Sequence, residues 1–380
     1  MCGDFMNVVG LICEYNPFHN GHLYHINKIK ELYPDSILVL VMSGSVTERG
    51  DISIINKWDK TDIALHYGID LVVELPFIYS TQSADIFCYS AVTILNYLKV
   101  DTIVFGSESN NIEQITELAK IQLDNNDYNN KIQEYLKNGL NYPTALAKAL
   151  EDISNININT PNDILGIGYV REIIKNNYNI NPITIKRTND YNSKELNDNI
   201  SSATSIRESI KNNIDISKYV PSYTLKYINN PIYLDDFYKY IKYKIITEIN
   251  SLDKYQLVDD NIIPRIKKYI YDSNSLEELI QNIKTKNYTY SRIKRILIQI
   301  LFSITKEDII NNKDINYIRI LGFNNEGKNY LNSIKKDINI PILSTYDDKY
   351  LNIESRVTNI INLLTNNKKE YEYKPIIKED

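Results

Sequence analysis

Residues Val8–His25 read VVGLICEYNPFHNGHLYH, and this stretch decides the fold. Val8–Cys13 is an unbroken apolar run, the pattern of a strand covered on both faces in a parallel sheet. A turn with two histidines three apart follows, and then Leu23, Ile26, Ile29 and Leu32 recur on one helical face. Three of the four histidines, His19, His22 and His25, fall within this turn and the helix it opens. A strand, HNGH and a helix start direct backbone N–H groups at an anion the size of a phosphate. Gly21 lets the backbone approach a ligand with no Cβ in the way. Imidazoles at i and i+3 can turn into one pocket and donate to phosphate oxygens that gain charge during displacement. The same rings would also suit a metal ion or a helix cap, although no third histidine of matching geometry and no nearby cysteine completes a metal set. His25 reads as structural support, and His66, late in a later helix, as a cation that suits the helix dipole.

Outward from this turn, strand and helix alternate. Ser36–Met42 is a second buried strand after the Pro34-Asp35 break, and Ser43–Asp51 is a loop of small and charged residues. A helix around Lys57–Tyr67 ends at Gly68, Leu71–Leu75 is a third strand stopped by Pro76, and Ser80–Leu98 is helical. Thr102–Phe105 is a fourth strand closing on Gly106. Residues 111–180 read as helical, with Thr160 capping a helix through Tyr169, and Ile183–Ile185 is a fifth strand. The fold class is therefore α/β, a Rossmann-like parallel sheet with helices on both faces. Ligands of such sheets bind at the carboxyl ends of the strands. The polar segments Glu14–His22, Ser43–Gly50, Glu74–Pro76 and Gly106–Glu108 are expected to converge there. Beyond Ser217 helical periodicity dominates, with a small α/β or helix-turn-helix addition over Asn316–Lys335 and a last strand in Ile338–Ser344. Two units are expected, a nucleotide-binding catalytic domain over 6–215 and a mainly helical region over 216–380.

Composition limits the function classes. The net charge of −5 and pI near 5.6 do not mark a nucleic-acid binder as a whole. Cys2, Cys13 and Cys88 are widely spaced and form no zinc or disulfide pattern, which fits a reducing cytoplasm. Cys13 reads as a core residue. No apolar run is long enough to span a bilayer, so no membrane partner is expected.

A second anion cradle lies in Ser201–Arg207, SSATSIR: hydroxyls and N–H groups at a helix start, with Arg207 to hold phosphate oxygens. Alone this is common; paired with HNGH in an α/β chain it is the arrangement of the HxGH nucleotidyltransferase superfamily.

The loop texts narrow this further. GLICEYNPFHNGHLYH, VMSGSVTERGDISIINKWDKT, DLVVELPFIYSTQSAD, VDTIVFGSE, PNDILGIGYV and ISSATSIR together resemble the tRNA(Met) cytidine acetate ligase family over roughly residues 7–210, and more faintly through YTYSRIKRILIQIL and YIRILGF. The resemblance implies an enzyme that uses ATP to activate acetate as acetyl-adenylate. The acetyl group would then pass to the N4 amine of the wobble cytidine of elongator methionine tRNA. It implies an ATP site over Ile12, Cys13, Glu14, Tyr15, Asn16, Pro17, Phe18, His19, Asn20, Gly21, His22, Leu23, Tyr24 and His25, joined by Gly106, Asn162, Arg187 and Thr188. His19, His22 and Arg207 would be catalytic, and Mg²⁺ is expected with the nucleotide. Asp51 and Glu14 read as loop carboxylates before metal contacts. The second loop departs from the family pattern, closer to MSGNFVQRG. Glu48 puts a carboxylate where an amide is usual, which argues against an anion contact there.

For RNA, Pro264–Ser303 carries eight basic residues against three acidic ones in an otherwise acidic chain. Lys284, Lys286, Tyr288, Arg292, Lys294 and Arg295 are the candidate contacts, since basic groups meet phosphates and tyrosines stack on bases. The plain alternative is a solvated helix face. A small-molecule adenylyltransferase would share HNGH and SSATSIR, but the long C-terminal region is more than such an enzyme needs. The oligomeric state is not legible in the sequence.

Overall fold

A computed structural model describes residues 7–157, 160–187 and 201–379. Strand β1 (Val8–Cys13), helix α1 (Asn20–Leu32), β2 (Ile37–Ser43), α2 (Lys57–His66), β3 (Leu71–Leu75), α3 (Phe77–Ser80), α4 (Ala84–Tyr97) and β4 (Thr102–Ser107) follow in turn. Then come α5 (Ile112–Leu123), α6 (Asn126–Lys137), α7 (Tyr142–Ser154), α8 (Pro161–Lys175), β5 (Asn181–Lys186) and α9 (Ala203–Lys211). The expected helix over Ser80–Leu98 is two helices, because the chain turns extended at Ser83 before α4. Thr160 stands at the start of α8, but its hydroxyl meets the Asp163 carboxylate at 2.8 Å rather than a helix N–H.

The described strands form one eight-stranded sheet in the order β5-β4-β1-β2-β3-β6-β7, with β8 beside β6. Strands β5, β4, β1, β2 and β3 are mutually parallel. The chain winds outward from β1 in one direction through β2 and β3, and in the other through β4 and β5. The order therefore reverses at β1, and a crevice opens at its carboxyl end between the loops after β1 and β4. Helix α4 lies tight on β1: a Cβ added at Gly10 would stand 2.8 Å from a Leu95 methyl.

The rest of the chain forms α10 (Ser222–Leu225), α11 (Tyr238–Thr247), α12 (Ile263–Tyr269), α13 (Leu276–Ile283), α14 (Tyr290–Leu301) and α15 (Lys306–Asn311). Strand β6 (Ile318–Phe323), α16 (Asn325–Ile334), β7 (Ile342–Leu343), α17 (Asp348–Ile361) and β8 (Ile376–Ile377) complete it. The boundary expected at 215/216 does not divide the sheet. Strand β6 lies antiparallel to β3, so the segment expected as a separate addition extends the sheet, and the strand expected over 338–344 is only β7. Glu370 and β8 also join the packed structure.

A buried ionic cluster makes that joint. Lys57 Nζ lies 2.6 Å from Glu74, 2.8 Å from Glu370 and 3.6 Å from Glu354, and Arg319 lies 2.6 Å from Glu370. Burial opposes charge on Lys57, yet Glu370 and Glu74 outweigh it and hold its pKa up at about 12. Burial and the Glu74 charge push Glu354 up to about 8. Two cations thus face three carboxyl groups, and the surplus is relieved by a proton kept on Glu354 near neutral pH. Removing one partner of such a cluster leaves uncompensated buried charge. Lys57→Met should therefore lower the unfolding free energy by about 3–5 kcal/mol, read from urea unfolding. A change below about 1 kcal/mol would mean that the cluster does not hold the C-terminal strands to the sheet.

Candidate active site

A cavity of about 410 Å³ opens at the carboxyl edge around β1. The loops after β1 and β2 and the carboxyl ends of β4 and β5 reach it, as do α4, α8 and the start of α9. The segment after β3 does not, because the Glu74 side chain turns into the ionic cluster.

The turn after β1 is held from three sides. Lys60 is buried beneath it and donates to the carbonyls of Glu14, Ser43 and Gly44 at 2.9, 2.8 and 2.8 Å, so the ends of β1 and β2 are tied to α2. Burial pulls the Lys60 pKa down to about 7, but three acceptors match the three N–H bonds of an ammonium. Asn16 Oδ1 accepts from the Ile54 N–H at 2.9 Å, and Arg207 donates to the Asn16 carbonyl at 2.7 Å. The Asn16-Pro17 peptide is cis.

At the start of α1 the backbone N–H groups are spent inside the protein, contrary to the cradle expected from HNGH. Asn20 N–H donates to the Tyr219 carbonyl, Gly21 N–H to His19 Nδ1 at 3.0 Å, and His22 N–H to the His19 carbonyl. His19 is the N-cap of α1, and its own N–H donates to His22 Nδ1 at 3.2 Å, a capping box built from two imidazoles. The two rings therefore take the helix-capping role through their Nδ1 atoms. A backbone N–H can only donate, so both Nδ1 atoms are acceptors, and a neutral ring must carry its proton on Nε2. Burial, with Arg187 and Arg207 nearby, pushes the His19 pKa down to about 3. Burial, then His19, Arg187 and His25, holds His22 well below its usual value. Two neutral rings, with centroids 3.8 Å apart, thus keep Nε2–H donors that no backbone group uses up. His25 lines the same cavity, its Nε2 has no partner among the described residues, and burial lowers its pKa to about 4. His66 lies in the last turn of α2, where it stacks on Tyr223 at 3.7 Å, and burial lowers its pKa.

Of the expected nucleotide contacts, Ile12, Cys13, Glu14, Tyr15, Asn16, His19, Gly21, His22, Tyr24 and His25 line the cavity, with Gly106, Asn162, Arg187 and Arg207. Cys13 is half-buried at the cavity wall rather than a core residue. Pro17, Phe18, Asn20 and Leu23 are not at the wall. Phe18 stacks on Tyr67, and Asn20 is tied to the carbonyls of Lys218 and Tyr219, because the residues between two ligand-facing positions of a turn must point elsewhere. Thr188 lies outside the described residues. Gly106 sits against the Arg187 stem, which a Cβ would meet at 3.2 Å. Asn162 joins Glu108 at 2.5 Å and approaches Arg187 at 3.5 Å. At the same cavity Ser202 caps α9 through the Ser205 N–H, and the buried Ser201 hydroxyl has no partner among the described residues. Arg207 is held by Thr204 as well as by Asn16.

The second loop is shaped by α14. Glu48 N–H donates to Glu14 at 2.6 Å, and the Glu48 carboxylate pairs with Arg295 at 2.8 Å. Burial raises the Glu14 pKa to about 7. Asp51 pairs with Lys294, and Gly50 has φ +79° with a Cβ position only 2.9 Å from the Arg295 backbone nitrogen. Four of the six expected RNA contacts are therefore engaged inside the protein. Lys294 and Arg295 brace this loop. Tyr288 is buried with its hydroxyl on Asp259, and Arg292 pairs with Asp259 at 3.1 Å. Only Lys284 and Lys286 are exposed. Ser201 belongs to the SSATSIR motif, whereas Lys60 and the pairing of α14 with the second loop had no sequence signal that set them apart from other lysines and basic helices.

A family model for the HIGH Nucleotidyl Transferase matches residues 6–375. The tRNA(Met) cytidine acetate ligase of Clostridium novyi is 41% identical over 358 residues, covering 89% of each chain. That of Clostridium tetani is 39% identical and covers 98% of this chain and all of its own. A crystal structure of apo Thermotoga maritima TmcAL superposes with a TM-score of 0.92 at 27% identity, covering 99% of this chain and 100% of that one. A second, bound with alpha-thio ATP, gives 0.89 at 28% identity with the same coverage. With the imidazole pair at the sheet's reversal point, the serine-capped α9 opposite it and likeness over almost the whole length, the chain belongs to the tRNA(Met) cytidine acetate ligase family of HIGH-type nucleotidyl transferases.

Proposed function

We propose that the protein uses ATP to activate acetate as acetyl-adenylate and transfers the acetyl group to the N4 amine of the wobble cytidine of elongator methionine tRNA. The observation that carries the reading is the pair of neutral imidazoles whose Nδ1 atoms are held by backbone N–H groups. A carboxylate oxygen of acetate attacks the α-phosphorus of ATP. The bond from that phosphorus to the bridging oxygen breaks, and pyrophosphate leaves with the electron pair. Negative charge grows on the phosphate oxygens as it does so, and Nε2–H donors set in place beforehand stabilise it without reorganisation. Arg207, held against the same turn by the Asn16 carbonyl, and the serine-capped start of α9 would face the same charge. Acetyl-adenylate then meets the cytidine amine: N–C bond formation expels AMP, and the amine loses a proton.

ATP fits the crevice around His19, His22, Gly106, Asn162 and Arg187. A divalent ion has no ready protein cage, since the described residues hold no group of three His, Cys, Asp or Glu side chains suited to a metal. Glu14 and Asp51 are engaged with Glu48 N–H and with Lys294. Mg²⁺ would therefore arrive on the oxygens of the triphosphate, where it would neutralise charge. Of the six candidate contacts, the exposed Lys284 and Lys286 are the ones left for tRNA phosphates, with the exposed Lys267 and Lys268 in the same basic run. No described helix is long and apolar enough to cross a membrane. We place the protein in the cytoplasm, where its tRNA substrate is.

The purified protein should catalyse acetate-dependent exchange of pyrophosphate into ATP, and should form N4-acetylcytidine and AMP when methionine tRNA is added. Absence of both would refute the reading. The two roles of His19 separate in a pair of variants. Asparagine is a good N-cap but lacks the Nε2–H, so His19→Asn should keep its thermal stability and lose turnover by about 10²–10³-fold. His19→Ala should lose as much turnover and also about 1 kcal/mol of stability.

A further inference from the structure

The wall of the cavity carries charge of the wrong sign for a triphosphate. Glu14 at the end of β1 and Glu48 and Asp51 of the second loop all line it, three carboxyl groups in one site. Like charges set against one another in a half-buried site weaken binding steeply unless each is compensated. The compensation comes from behind the wall. Arg295 of α14 pairs with the Glu48 carboxylate at 2.8 Å and donates to the Glu48 carbonyl at 3.2 Å, and Lys294 pairs with Asp51. Neither cation is at the cavity wall, and both side chains are largely buried, Lys294 at 12% and Arg295 at 16% exposure. Glu14 is relieved differently, since burial raises its pKa to about 7 and so favours its neutral form. The second loop has little freedom to turn its acids elsewhere. Thr47 N–H donates to the Asp51 carbonyl at 2.9 Å and Gly50 N–H to the Thr47 carbonyl at 3.0 Å, which closes a tight turn between the bridged Val46 and Ile52. At Gly50 this turn meets α14 backbone to backbone, and the two ion pairs flank that contact in sequence.

We propose that Arg295 and Lys294 are positioning residues of the nucleotide site, acting through Glu48 and Asp51 to make an acidic loop compatible with ATP. The inference rests on the nucleotide part of the ligase reading and adds what that reading leaves open. It says how a carboxylate at position 48 is tolerated beside a polyanion, and what two basic residues of α14 do when they do not touch RNA. Each cation holds its carboxylate in one place and cancels most of that carboxylate's field at the cavity. An RNA phosphate would have to draw both cations off their partners, and two bare carboxylates would then face the triphosphate. The pairing also makes nucleotide binding depend on the C-terminal region, because α14 is the element that neutralises the loop.

The test is a pair of double-mutant cycles read by calorimetric binding of ATP to the full chain, without acetate or tRNA. Arg295→Ala should weaken ATP binding by about tenfold or more in the wild-type background. In the Glu48→Gln background, where no carboxylate is left to neutralise, the same change should cost less than about threefold. Lys294→Ala should depend on Asp51→Asn in the same way. A merely structural role for the helix would not be cured by removing the charge of the loop. Arg295→Gln and Lys294→Gln keep a stem and a donor without the charge, and give the same comparison should an alanine variant unfold. Equal losses in both backgrounds, no loss in either, or a loss confined to tRNA binding would overturn the assignment and leave the ligase reading in place. A wild-type protein that binds no ATP would overturn both.

Discussion

The site depends on two hydrogen bonds at the start of α1. His19 Nδ1 takes the Gly21 N–H, and His22 Nδ1 takes the His19 N–H. These two bonds end the strand-to-helix turn, satisfy two N–H groups that a helix start leaves open, and choose the tautomer of both imidazoles. An imidazole so oriented is a neutral donor on one side and a structural acceptor on the other. Burial keeps it neutral, and the positive charges nearby, Arg187 for both rings and Arg207 for His19, act in the same direction.

That small unit is kept in register by structure far from it in the chain. Lys60 binds together the carbonyls at the ends of β1 and β2, and Arg207 holds the Asn16 carbonyl from α9. Helix α14 pairs Glu48 and Asp51 of the second loop with Arg295 and Lys294. The cluster of Lys57, Glu74, Arg319, Glu354 and Glu370 carries β6 and the C-terminal tail into the same sheet. The C-terminal region is therefore part of the scaffold of the site as well as the candidate surface for tRNA. Contact of tRNA with the exposed side of this region would be felt at the second loop through the α14 pairs.

Much of this was legible in the sequence because it is local. The buried run before HNGH, the alternation of strand and helix and the serine cap of SSATSIR each declare themselves within a few residues. The parts that were not legible all depend on partners distant in the chain. HNGH shows that a helix starts, but not that Tyr219 takes the Asn20 N–H or that the histidine rings turn back onto their own backbone. The basic residues of α14 can be counted, whereas Asp259, Asp51 and Glu48, which pair with all three of them, lie in other segments. Glu74 belongs to the polar end of β3, but Lys57 and Arg319 draw it away from the cavity. Strand β6 looked separate because its partner β3 lies far earlier in the chain, and antiparallel pairing across that separation leaves no periodic trace.

The tautomer of the two histidines is the most direct measure of this account. Nitrogen-15 NMR of histidine-labelled protein, without nucleotide, distinguishes a protonated Nε2 from a protonated Nδ1 and from the imidazolium. Rings assigned through His19→Asn and His22→Asn should both be neutral with the proton on Nε2 from pH 8 down to about 5. Imidazolium signals near pH 6, or a proton on Nδ1 of either ring, would contradict it.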